Sequence, residues 1–279
     1  MSDRSPLVDA RWLADHLGDV VVADVRWYLD GRSGRAAYEA GHIPGAVFVD
    51  VDTHLAAPPS GPEGRHPLPS PEAFAAAMAA LGISDEETVV GYDDAGGAMA
   101  ARLVWMLRVT GHDAALLDGG IGAWEGDVEV DPVVRARAEF AARPWPADRL
   151  ATIDAVARAG TPNGPVVVDA RSAHRYRGEP HPLDARSGHV PGACSLPFAG
   201  NVDRASGRFL APERLRDRFA AAGIGDGTDV IAYCGSGITA CHDLLALELA
   251  GLGPGRLFAG SWSAWTADPD RPAATGEEP

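Results

Sequence analysis

Short apolar runs recur along this chain, each followed by a stretch whose apolar positions fall three and four residues apart. In the first half the runs lie at residues 20–25, 46–51, 88–92 and 114–117, and a further one in the second half covers 229–233. Continuous apolar runs of this length predict strands buried on both faces. The stretch 71–81 predicts a helix, with Ser70 as its cap, Pro71 in the first turn and Phe74, Met78 and Leu81 on one face. Residues 212–222 repeat the pattern with Leu215 and Phe219 inward, and 240–250 predicts a helix directly after the 229–233 strand. Strand-helix alternation of this kind predicts an α/β fold whose mostly parallel central sheet is flanked by helices.

The pattern occurs twice. Asp24-Val25-Arg26 ends one apolar run and Asp169-Ala170-Arg171 ends another 145 positions later. Gly41-His42-Ile43-Pro44-Gly45-Ala46 returns as Gly188-His189-Val190-Pro191-Gly192-Ala193, an offset of 147. Asp93 and Cys234 stand 141 apart, as do Trp124 and Trp265. Near-constant offsets at four landmarks predict two tandem copies of one domain, residues 1–130 and 150–279, joined by a linker at 131–149.

Composition fits a globular chain of 279 residues, 46% hydrophobic and 23% charged. A net charge of −15, with no long basic run to offset it, argues against nucleic acid and anionic membranes as partners. Any anionic substrate therefore needs local arginines. The start, Met1-Ser2-Asp3-Arg4-Ser5-Pro6, lacks an apolar leader, and no run approaches a membrane span. Three cysteines, Cys194, Cys234 and Cys241, match neither a disulfide framework nor a zinc site. A reducing, cytoplasmic setting is the expectation, with no metal or organic cofactor.

One cysteine is placed for chemistry. Cys234 opens the loop Cys234-Gly235-Ser236-Gly237-Ile238-Thr239 between a predicted strand and a predicted helix. Backbone N–H groups and the helix dipole at such a position favour thiolate over thiol. The glycines let the backbone fold around the sulfur, and Ser236 and Thr239 add hydroxyls. In the first copy the equivalent residue is Asp93, which cannot carry a transferable sulfur, so that copy is expected to be non-catalytic. Cys194 and Cys241 are expected to pack.

The loop resembles that of the rhodanese superfamily, in the Cys-Gly-Ser-Gly-Val-Thr form of its 3-mercaptopyruvate sulfurtransferases, with Ile238 in place of valine. The paired His-hydrophobic-Pro-Gly-Ala elements and Gly260-Ser261-Trp262-Ser263-Ala264-Trp265 resemble that family's other signatures. The resemblance implies two tandem rhodanese-like domains and transfer of a sulfane sulfur from 3-mercaptopyruvate to a thiol or cyanide, through a persulfide on Cys234. It implies a relay of Ser236, His66 and Asp52, the last two contributed by the first half. Arg175 matches the family's first carboxylate-gripping arginine, and Gly235, Gly237, Ile238 and Thr239 are expected to line the donor site. The family's second arginine has no direct match after Glu179-Pro180, which leaves Arg186 or His181 to stand in for it.

Thiosulfate as donor is the alternative, although relatives that use it place basic residues directly after the cysteine, where this chain has Gly235 and Ser236. A persulfide carrier without strong donor preference is the third reading. Thioredoxin, a small thiol or a biosynthetic protein are compatible acceptors. Phosphatases of similar fold need an arginine six residues after the cysteine, and here that residue is Ala240.

Overall fold

The computed structural model describes residues 5–279, so the first four residues of the Met1–Pro6 start lie outside the described residues. The chain forms two compact units. Unit 1 holds the chain up to Ala57, Leu68–Trp145 and Asp203–Phe209, and unit 2 holds Pro58–Pro67, Pro146–Val202 and Leu210–Pro279. Each predicted half is thus the body of one unit, but each unit also takes a short piece from the other half. Among the described residues, no helix is long and apolar enough to cross a membrane.

Unit 1 runs β1 (Leu7–Val8), α1 (Ala10–His16), β2 (Val20–Asp24), α2 (Gly34–Ala40), β3 (Val47–Phe48), α3 (Val51–His54), α4 (Pro71–Ala80), β4 (Thr88–Tyr92), α5 (Ala100–Val109) and β5 (Ala114–Leu117). All pairings are parallel, in the order β1-β5-β4-β2-β3. The central strands are buried nearly throughout, as their unbroken apolar runs require. Helix α4 begins where predicted, with the Ser70 hydroxyl accepting the Ala73 N–H and Phe74 and Met78 buried. The run 46–51 is the exception. Its strand stops at Phe48, because the Asp50 side chain accepts the Thr53 N–H and starts α3.

Unit 2 runs α6 (Ile153–Val156), β6 (Val166–Asp169), α7 (Ala173–Arg177), β7 (Cys194–Ser195), α8 (Pro212–Ala221), β8 (Val230–Tyr233), α9 (Ala240–Leu249), β9 (Arg256–Leu257) and α10 (Ser261–Trp265). Its parallel sheet has the order β7-β6-β8-β9. A single parallel bridge between Leu150 and Leu257 stands where unit 1 has β1.

The duplication extends to individual hydrogen bonds. Asp24 is fully buried and accepts from Arg26 and from the Tyr92 hydroxyl; Asp169 does the same with Arg171 and Tyr233. Each tyrosine hydroxyl also receives a backbone N–H, from Ile43 or Val190. His42 and His189 stack on Tyr38 and Tyr176, with ring centroids 3.8 and 3.6 Å apart. The His-hydrophobic-Pro-Gly-Ala elements are therefore framework in both copies.

Residues 131–145, expected as part of a linker, belong to unit 1. The Tyr38 hydroxyl accepts the Val133 N–H, Ala79 O accepts the Ala138 N–H, and Phe140 and Trp145 pack on Phe74. Extended chain without regular structure is held here by side chains and isolated backbone bonds rather than by a ladder.

Candidate active site

Strand β8 delivers Cys234 to a turn that closes before α9 begins. The residue is 2% exposed. Its sulfur accepts the Gly237 N–H at 3.1 Å, and Gly237 has φ 82°, a conformation that glycine adopts without strain. The Cys234 N–H donates to Ser261 Oγ at 3.0 Å, and that hydroxyl donates in turn to Phe258 O. The first amides of α10 hold the loop's carbonyls: Trp262 N–H to Cys234 O at 2.9 Å and Ser263 N–H to Gly235 O at 3.1 Å. The nucleophile's backbone is bonded on both sides, so its position is set by framework and not by the loop alone.

Unit 1 has a loop at the same repeat position, with Gly97 at φ 87° where unit 2 has Ile238, and this loop holds a carboxylate. Asp93, fully buried, accepts four backbone N–H groups, from Ala95, Gly97, Met99 and Ala100, at 2.8 to 2.9 Å. At the repeat offset these match Ser236, Ile238, Ala240 and Cys241. A loop with this backbone is an anion seat. In unit 1 its own carboxylate fills it.

Ser236 is 7% exposed, and His66 Nδ1 lies 2.8 Å from its hydroxyl. His66 comes from the first half of the sequence but from unit 2 of the structure. Asp52, on α3 of unit 1, accepts the Trp27 indole N–H at 2.9 Å. The structure thus brings Ser236 and His66 together within one unit, while Asp52 belongs to the other. Gly235, Gly237, Ile238 and Thr239 form the loop, with Ile238 buried and Thr239 leading into α9 without a side-chain cap. Cys241 is buried, its thiol directed to Gly237 O at 3.4 Å, and Cys194 is half-buried on β7.

Arg175 reaches the loop: a methyl group in place of a hydrogen on Gly235 would sit 2.9 Å from Arg175 Nη2 and 2.9 Å from Arg65 Nη2. Arg186 is directed elsewhere. Its guanidinium donates to Pro269 O and Arg271 O at 3.1 and 2.5 Å, and its carbonyl receives the Trp262 indole N–H. The second guanidinium at the loop is therefore Arg65 rather than Arg186. His181 accepts the Leu183 N–H at 3.3 Å, and burial and the Arg175 charge push its imidazole below the ordinary value.

Three site residues escape a sequence reading: Arg65, Ser261 and Asp184. Arg65 adjoins His66 in a stretch with no regular structure, Ser261 is hidden inside the Gly260–Trp265 signature, and Asp184 lies in the turn after Pro182. Burial pushes the Asp184 carboxyl up, but the Arg175 hydrogen bonds and the charges of Arg175, Arg171 and Arg65 outweigh it and hold the group below the usual carboxylate range.

A Pseudomonas aeruginosa protein described as a probable 3-mercaptopyruvate sulfurtransferase is 43% identical, over 97% of this chain and 98% of its own. The thiosulfate/3-mercaptopyruvate sulfurtransferase 2 of Arabidopsis thaliana is 34% identical, over 98% of this chain and 87% of its own. The crystal structure of SseA from Escherichia coli, described among the 3-mercaptopyruvate sulfotransferases, superposes with a TM-score of 0.83 at 32% identity, covering 93% of this chain and 99% of that one. The rhodanese-like domain pattern is matched twice, at residues 9–127 and 153–268. With both copies matched and relatives aligned along nearly their whole length, the chain belongs to the rhodanese-like domain family.

Proposed function

We propose that this protein is a sulfurtransferase that moves a sulfane sulfur from 3-mercaptopyruvate to a thiol or cyanide, through a persulfide on Cys234. The Cys234 thiolate attacks the donor's sulfur, the carbon–sulfur bond breaks, and its electron pair leaves on carbon as the enolate of pyruvate. That enolate needs a proton. The Ser236 hydroxyl, 2.8 Å from His66 Nδ1, is the group beside the sulfur best suited to deliver one, and this pair is the observation that carries the reading. The acceptor's thiolate then attacks the outer sulfur and releases the Cys234 thiolate. Thioredoxin or a small thiol fits the acceptor role, and three free cysteines fit a reducing, cytoplasmic setting. Unit 1, with Asp93 in the nucleophile's place, carries no sulfur. Asp52 is the proposed third member of the relay, acting through His66.

Thiosulfate as donor is the second reading, favoured by the two guanidinium groups beside Gly235, which suit an anion. Comparing kcat/KM for the two donors, with cyanide as acceptor, separates the readings. The protein should prefer mercaptopyruvate, and mass spectrometry after donor treatment should find one added sulfur atom on Cys234. Ser236→Ala should lower mercaptopyruvate turnover by about 100-fold, within the usual range for loss of a proton-transfer group, and should leave persulfide formation from thiosulfate nearly intact. Equal losses with both donors would remove the proton-delivery role. Asp52→Asn should show the same selectivity with a smaller loss.

A further inference from the structure

Arg186, a stand-in above for a substrate-gripping arginine, pairs with no carboxylate among the described residues. Its guanidinium clasps the chain that leaves α10, donating to Pro269 O and Arg271 O at 3.1 and 2.5 Å, and its Nε is buried without an acceptor. The clasped chain runs back as a strap along residues 177–189. Ala274 and His189 exchange both backbone bonds at 2.9 Å, the Gly276 N–H donates to Arg177 O at 2.9 Å, and the Trp265 indole donates to Pro272 O at 2.8 Å. A side chain on Gly188 would meet Ala274 O at 2.3 Å, so the strap needs glycine there. The Arg186 carbonyl, for its part, accepts the Trp262 indole N–H at 2.8 Å. One residue thus joins strap, loop and helix. Leu183, Asp184 and Ala185, just before Arg186, line a cavity of about 350 Å³ with Trp262, Ser263 and Thr266 of α10 and its C-terminal turn. The cavity adjoins the nucleophile's neighbour, because the Ser263 N–H holds Gly235 O at 3.1 Å.

We propose that Arg186 is a positioning residue: by clasping the C-terminal strap it fixes residues 183–185 against α10, and so sets how tightly the sulfur donor fits the cavity. This rests on the sulfurtransferase reading and adds a residue that touches no substrate. Hydrogen bonds from a guanidinium to carbonyls are charge-assisted, and its fork fixes their direction. A chain terminus stays ordered only where it is tied down, so losing the clasp frays the strap. The loop and the helix then shift independently, and a small 2-oxo acid loses the close fit that holds it for reaction. The bonds from α10 to Cys234 O and Gly235 O come from its backbone, and a loosened strap leaves them in place. Binding therefore suffers while the chemistry of the sulfur does not.

The test uses the full chain with Arg186→Ala, Arg186→Lys and Gly188→Ala, the last displacing the strap while leaving the arginine in place. The first readout is proteinase K cleavage within residues 268–276, followed by mass spectrometry of the intact chain. The second is KM and kcat for mercaptopyruvate. Iodoacetamide alkylation of Cys234 and Cys194 reports whether the body of unit 2 stays folded. Arg186→Ala and Gly188→Ala should each speed tail cleavage about tenfold, as expected for two lost charge-assisted bonds or a displaced strap. Both should raise KM about tenfold and keep kcat and both alkylation rates within about twofold of wild type. Arg186→Lys, whose ammonium still reaches for a carbonyl, should recover part of the KM. KM does not depend on how much of a sample is folded, so partial misfolding leaves this readout intact. A released tail with unchanged KM makes the strap mere framework and overturns the proposal, as does a tail that stays protected. A fall in kcat at constant KM overturns it too. If the tail is released as expected while the wild type consumes no sulfur donor, the sulfurtransferase reading fails and the clasp itself stands.

Discussion

Ser261 holds a backbone conformation that residues with a side chain rarely adopt, φ 52°, and does so fully buried. Its counterpart in unit 1 is Gly120, at φ 57°, where a side chain would collide with Asp93 O at 2.1 Å. The serine is kept in unit 2 although glycine would relieve the strain, and the gain is visible: its hydroxyl accepts the Cys234 N–H. Ser261→Ala should cost about 1–3 kcal/mol by leaving a buried donor unpaired. Ser261→Gly should cost less, because relief of about 1 kcal/mol of strain offsets part of the loss. Both should slow iodoacetamide alkylation of Cys234, and urea unfolding measures the order. The setting of Cys234 was readable in the sequence because an apolar run, a glycine turn and a helical period follow one another there. Ser236 and His66 followed from resemblance, and they meet as a pair. Arg65 and Asp184 were not readable, since the approach of Arg65 to Gly235 and the pairing of Arg175 with Asp184 leave no periodic trace.

At the level of elements, α9 is unusual in burying almost every side chain from Ala240 to Leu247, His242 and Asp243 among them. Asp243 receives the Asn201 side-chain amide at 2.6 Å, and Arg218 donates to the same asparagine's oxygen at 3.0 Å. Burial raises the Asp243 carboxyl from 3.8 to about 7, against the hydrogen bond from Asn201 and the charge of Arg218. A folded-state value above the unfolded one means that stability is fully present below the unfolded value and is lost as pH rises through the folded value. The wild type should therefore weaken relative to Asp243→Asn between pH 3.8 and about 7, with the difference levelling off above that. The steepest slope is about 1.4 kcal/mol per pH unit. Urea midpoints across this range check it, and a constant gap between the two proteins would contradict it. The helices and long strands were legible because apolar period and caps agree, as in Ser70–Met78. The strand at 46–51 was misjudged at its end, since the Asp50 cap overrides an apolar run that continues through Val51.

For the molecule as a whole, the two copies were evident from offsets alone, but the exchange of short segments was not. Residues 58–67 are rich in proline and glycine and carry no regular element, so hydrophobic periodicity says nothing about which unit receives them. That segment brings Arg65 and His66 into unit 2. A fragment of residues 146–279 keeps the Cys234 loop and lacks both. It should show no mercaptopyruvate turnover even where circular dichroism finds it folded, and measurable turnover would contradict the roles given to both side chains. The net charge of −15 adds a molecule-wide effect. Donor capture against a repulsive field should improve with moderate salt, which screens distant acids more than a guanidinium at contact distance.

The filled loop of unit 1 sets an internal standard for motion. Asp93 satisfies its four amides permanently, so their hydrogen exchange should be slow and indifferent to sulfur donors. The amides of Ser236, Ile238 and Ala240 stand at matching positions of the Cys234 loop and should exchange more slowly once a persulfide offers them a further acceptor, whereas the Cys241 N–H already donates to Ile238 O at 3.1 Å. Deuterium uptake can thus follow a permanently filled loop and the Cys234 loop side by side in a single sample.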